Sequence, residues 1–138
     1  MRNLTISINI EYKRSRMWEW NPTAMVTASL DGVRTDTTKG MASGCGYDKL
    51  SAAVCYAFRE NPLLQTLLLW DGWNTDTEAY GTGAVRDHEW AFDGQGMNVL
   101  LRNLLANGCH VTETRDAQGD PVAYTATRDM PASFVSLI

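Results

Sequence analysis

Apolar and polar residues alternate without a break near the start of the chain: Leu4, Ile6, Ile8, Ile10 and Tyr12 are interleaved with Thr5, Ser7, Asn9 and Glu11. A period of two puts successive side chains on opposite sides of an extended backbone, so this run predicts a strand with one buried and one wetted face. Ala24, Val26, Ala28 and Leu30 repeat the pattern, and Asp31-Gly32 then separates them from Val33, Thr35 and Thr37. Asp-Gly between two strand-like runs supplies the positive φ angles of a two-residue hairpin loop, which sets Leu30 opposite Val33. The third run is rich in threonine and thin in large apolar side chains, so it lies near a sheet edge or is half exposed.

From Leu50 the period lengthens. Leu50, Ala53, Val54, Ala57 and Phe58 fall at helical spacing, with Asp48 ahead of them as a cap. Asn61-Pro62 reads as a stop followed by a new cap and a first-turn proline, which opens a short second helix over Leu63 to Leu69. Residues 71 to 93 carry no sustained period, and a connection of that length in a small domain is usually functional or mobile, unless it hides short strands. Met97, Leu100, Leu101, Leu104 and Leu105 then form another helical stripe, entered at Gly94-Gln95-Gly96 and closed by Asn107-Gly108 as a left-handed cap. Cys109 to Arg115 and Val122 to Thr127 make a closing hairpin, and Ser133 to Ile138 is apolar enough to pack back on the body.

The predicted order is three strands, a helix, a short helix, a helix and two strands. It points to one α+β domain over residues 1 to 138, with a mostly antiparallel sheet of about five strands and helices on one face. Alternation in the strands argues for that one-sided covering, because a sheet buried on both faces reads as near-continuous apolar runs.

Composition narrows the function classes. The chain has 138 residues, 44% of them hydrophobic, enough for a substantial core, and no stretch has the length of a membrane span. The N-terminus has no apolar signal region and the three cysteines are irregularly spaced, so a cytoplasmic protein with reduced thiols and no disulfide framework is expected. A net charge of -4 disfavours nucleic acid as a partner, the local Lys13, Arg14 and Arg16 cluster being the exception.

The stretch "SGCGYDK" offers Gly44, Gly46 and Lys49 as an anion or nucleotide cradle, since a glycine-entered helix N-terminus favours anions. Its polar approach and missing glycine spacing fit a strand-to-helix elbow better. Gly94 and Gly96 enter the other helix in the same way, and a small anionic ligand would be favoured where the two ends share a hollow. Cys45 is the one thiol placed to feel a helix dipole, with His88 and His110 as the available bases for a Cys-dependent enzyme. The alternative for Cys45 is a small buried hydrophobe in a tight turn. No cysteine or histidine pair has zinc spacing, so neither a metal nor another cofactor is expected. The carboxylates of Asp71, Asp76, Glu78, Asp87, Glu89 and Asp93 have no period that would pair them.

Five tryptophans are more than ordinary usage, and Trp18, Trp20, Trp73 and Trp90 stand in polar surroundings. Large amphipathic rings of this kind are either caps on the sheet or anchors for a protein partner. The segments "ASGCGYDKLSAAV" and "GQGMNVLLRNLLANGCHVTETRDAQGDPVAYTATR" together resemble small uncharacterised proteins of phages and integrated mobile elements of Gram-positive gut bacteria. The resemblance covers about half the chain and implies an accessory or regulatory role in a bacterial cytoplasm, with no catalytic residues to carry over. The reading of the residues is therefore a non-enzymatic module that binds a protein partner or a second copy of itself.

Overall fold

The computed structural model describes residues 2–12, 21–44, 47–70, 104–105 and 108–130. Five strands, β1 (Arg2–Tyr12), β2 (Pro22–Leu30), β3 (Arg34–Met41), β4 (His110–Arg115) and β5 (Pro121–Met130), form one sheet in the order β3-β2-β1-β5-β4. Every neighbouring pair is antiparallel. Helices α1 (Tyr47–Glu60) and α2 (Pro62–Trp70) follow β3 directly. The α+β class, the antiparallel sheet and the edge position of β3 are as the hydrophobic pattern predicts.

The core lies between the sheet and α1. Leu4, Ile6, Ile8 and Ile10 of β1, Ala24, Val26, Ala28 and Leu30 of β2, and Leu50, Ala53, Val54, Ala57 and Phe58 of α1 are all buried. Inward residues are large on central β1, whereas β2 places Ala24 and Ala28 and β3 places Gly40 on the helix side, so the helix can come close to the sheet there. The closest approach is at Gly40, where a Cβ would stand 2.0 Å from the carbonyl oxygen of Ala53. Only glycine fits there, because the obstacle is helix backbone and has no rotamer to change.

Asn61 holds the junction of the two helices against the sheet. It is fully buried, its Nδ2 donates to the Asp36 carbonyl at 3.0 Å, and its Oδ1 accepts the Leu64 N–H at 3.2 Å. The second bond is an N-cap to the third helical residue, with Pro62 in the first turn, as the Asn61-Pro62 pair predicts. Thr38 adds a further tie by donating its hydroxyl to the Ala57 carbonyl at 2.5 Å.

Three expectations change. The β2–β3 loop has three residues rather than two: Leu30 pairs with Arg34, and the Val33 N–H closes a turn on the Leu30 carbonyl at 3.0 Å. Only Gly32 takes a positive φ, 70°, as the second central residue of a type II turn requires, whereas the two-residue loop needs Asp31 positive as well. That single-residue slip reverses the faces of β3, so Arg34, Asp36, Thr38 and Gly40 turn toward α1 while Thr35, Thr37, Lys39 and Met41 turn away. Helix α1 also begins at Tyr47, placing Asp48 inside its first turn rather than ahead of it as a cap.

At the far end of the predicted third helix, Leu104 and Leu105 are helical. Cys109 N–H donates to the Leu104 carbonyl at 3.0 Å and Gly108 N–H to the Leu105 carbonyl at 3.1 Å, with Gly108 at φ 86°. These two bonds around a left-handed glycine are a Schellman ending, the cap expected at Asn107-Gly108. The rest of that stripe, the 71–93 connection and the 133–138 tail lie outside the described residues.

Candidate interaction surface

The helices cover one face of the sheet, and no described element packs on the other. Strand alternation decides what that second face displays. Two rows run straight across all five strands: Thr37, Thr27, Ser7, Thr125 and Thr112 in one, and Thr35, Ser29, Thr5, Thr127 and His110 in the next. Nine of these ten residues bear hydroxyls, and neighbours bond along the rows, Thr27 to Thr37 at 3.0 Å and Ser29 to Thr35 at 2.9 Å. Threonine is at home here because its branched Cβ suits a pleated, half-exposed surface.

The third row is different in character. Met25 stands between Asn9 of β1 and Lys39 of β3, and Met41 is its diagonal neighbour on β3. Met25 is 38% exposed and Met41 63% exposed, both among the larger apolar side chains left open. A flexible thioether pair on a wetted sheet face, beside a cationic Lys39, is the composition of an adaptable contact surface. Met25 is legible in the sequence, since it occupies the polar phase of the β2 alternation. Met41 is not, because the two-residue loop would have turned it inward.

Of the residues singled out from the sequence, the described set contains Gly44, Lys49 and His110. Gly44, at φ 125°, is the last residue before the elbow, and the aliphatic stem of Lys49 folds over it, with Cε 3.1 Å from where a Cβ would be. The Gly44 N–H donates to Asn21 Oδ1 at 2.9 Å and its carbonyl accepts the Asn21 N–H at 3.0 Å. Both backbone groups of Gly44 are thus engaged within the chain. His110 opens β4 on the hydroxyl face, opposite Thr127, while Lys49 sits on the helix-bearing side. The structure does not bring His110 and the Gly44–Lys49 elbow together. Cys45, Gly46, His88, Gly94, Gly96, Trp18, Trp20, Trp73 and Trp90 lie outside the described residues.

The two described cysteines, Cys55 and Cys109, are buried free thiols. Loss of hydration in the core pushes the Cys55 thiol up to about 12, the opposite of what a nucleophile requires. Among the described residues no three His, Cys, Asp or Glu side chains are grouped to hold a metal ion, and no helix is long and apolar enough to cross a membrane. A shallow hollow of about 340 Å³ lies between Ile10, Tyr12 and Val122 and the β4–β5 loop residues Asp116 and Gln118. Its Tyr12 hydroxyl is committed to the Pro121 carbonyl at 2.6 Å, and Asp116 Oδ1 accepts the Gln118 and Asp120 N–H groups, each at 3.0 Å. That hollow is built by groups that close the loop.

The chain is an α+β protein with a five-stranded antiparallel sheet. No protein-family model, no curated protein and no solved structure matches it.

Proposed function

We propose that this is a non-enzymatic protein-interaction module that presents the β3 side of its open sheet face to a protein partner in a bacterial cytoplasm. The observation that carries the reading is the outward pair Met25 and Met41, exposed beside Lys39 on a face that no described element covers. Methionine is enriched in protein interfaces and repacks at little cost, so such a pair supplies apolar contact without demanding one rigid shape. An accessory role in a phage or mobile element, acting on a host system, is the setting that the resemblance suggests.

The test is photo-crosslinking inside the producing cell with a diazirine analogue of methionine, mapping adducts by mass spectrometry. Adducts joining position 25 or 41 to a defined protein support the reading. Adducts confined to the other methionines would sink it.

A further inference from the structure

Among the described strands, β3 stands at one edge of the sheet with its outer side unpaired. Ala42 N–H donates to the Pro22 carbonyl at 3.1 Å, which marks residues 22 and 42 as a hydrogen-bonded pair of the antiparallel ladder. Such pairs recur at every second residue, so the even-numbered residues of β3 spend their backbone groups on β2. Thr35, Thr37, Lys39 and Met41 turn theirs away from the sheet, and no other described strand pairs with β3. The edge is eight residues long and its ladder with β2 runs without a register shift.

The opposite edge is guarded. Strand β4 has six residues, its ladder shifts between Thr114 and Arg115, and Arg115 is drawn to Glu113 and to the Gly119 carbonyl at 2.7 Å. A short, bulged, charged edge resists pairing with another chain. Strand β3 lacks the bulge and keeps one outward lysine.

We propose that β3 pairs antiparallel with β3 of a second copy across a two-fold axis at Thr37, joining the two sheets edge to edge. This deepens the interaction reading above and rests on it. Charge disfavours two registers, and apolar pairing favours the one at Thr37. An axis at Asp36 sets two carboxylates face to face, and an axis at Lys39 does the same with two ammonium groups; like charges directly opposite are destabilising. An axis at Thr37 instead sets Thr35 opposite Lys39 of the other copy and brings exposed Val33 and Met41 together on the open face, 36% and 63% exposed in one copy. It also uses the outward backbone groups in their own hydrogen-bonding phase. The helices can be accommodated: α1 packs across β2 and β3, so the two copies of α1 would lie about two strand spacings, roughly 9–10 Å, apart. That is about the 8–10 Å separation of packed helices.

Sedimentation and disulfide trapping test this on the whole chain. In this register the two Thr37 Cα atoms are about 5.5 Å apart, within disulfide reach, while the two Thr35 Cα atoms are roughly 14 Å apart. Thr37→Cys is therefore expected to yield a disulfide-linked dimer under mild oxidation, with wild type and Thr35→Cys remaining uncrosslinked. Wild type is expected to sediment as a dimer at tens of micromolar, and Thr37→Lys, which opposes two charges at the axis without touching the core, to raise the dimer dissociation constant at least tenfold. A monomer at every concentration, or equal crosslinking of Thr35→Cys and Thr37→Cys, overturns the proposal. Overturned in that way while methionine crosslinking still captures a different protein, edge pairing falls and the interaction reading stands; failure of both experiments removes both.

Discussion

The two faces of the sheet are written by alternate residues of the same five strands and obey different physics. On the helix-bearing face, position is decided to a fraction of an ångström: Gly40 has no room for a Cβ, Thr38 is tied to the Ala57 carbonyl, and Asn61 is fully buried with its amide in use. On the other face, hydroxyls bond sideways to hydroxyls at the surface, as Thr27 does to Thr37, where water can replace any lost partner. The same residue type is therefore structural on one side and a surface chemistry on the other. Thr37 and Thr38, adjacent in the chain, make the contrast within a single dipeptide.

Substitutions on the covered face should be felt first. Phe58→Ala removes the largest fully buried side chain among the described residues and should cost about 3–5 kcal/mol in chemical denaturation. A loss below about 1 kcal/mol would mean that the core does not close over Phe58. Gly40→Ala, a single methyl, should cost about 3 kcal/mol because α1 has to lift from β3, and the thermal midpoint would report it. Asn61→Ala leaves the Leu64 N–H without its cap and removes a second bond to the Asp36 carbonyl, and should cost about 2–3 kcal/mol, with faster amide exchange in the first turn of α2. The sharpest test is the pair Thr38→Val and Thr37→Val, nearly equal in volume. The first should cost about 1 kcal/mol through the lost bond to Ala57, the second less than about 0.5 kcal/mol. Equal costs would erase the distinction between the faces.

Much of this was legible in the sequence because it depends on period. The β1 and β2 alternations, the α1 stripe, the Asn61-Pro62 cap and the Gly108 ending are local signals, and each appears where the residues put it. The β2–β3 register was not legible, since Asp31-Gly32 suits both a two-residue loop and the three-residue loop that the chain adopts. What decides between them is tertiary: Gly40 must face α1, and only the longer loop turns it there. That choice also controls the candidate surface, because it is what turns Met41 and Lys39 outward. Glycine and histidine signals were less informative, as Gly44 spends its backbone on Asn21 and His110 stands on the hydroxyl face. Trp18 and Trp20 alternate and read as one side of an extended segment, but they, Trp73 and Trp90 lie outside the described residues.

Cys55, on the buried side of α1, has a consequence for experiment. Burial raises its thiol from 9.0 to about 12, so the folded state favours the protonated form. The associated stability is complete below the ordinary thiol value and is lost as pH climbs from about 9 toward 12, a slope that Cys55→Ala should remove from alkaline denaturation curves. At pH 8 the thiol of the closed molecule therefore stays protonated. Alkylation at that site then proceeds almost wholly through molecules in which the packing around Cys55 has opened, and its rate becomes a stopwatch for that opening, kept by a sulfur atom the protein already contains.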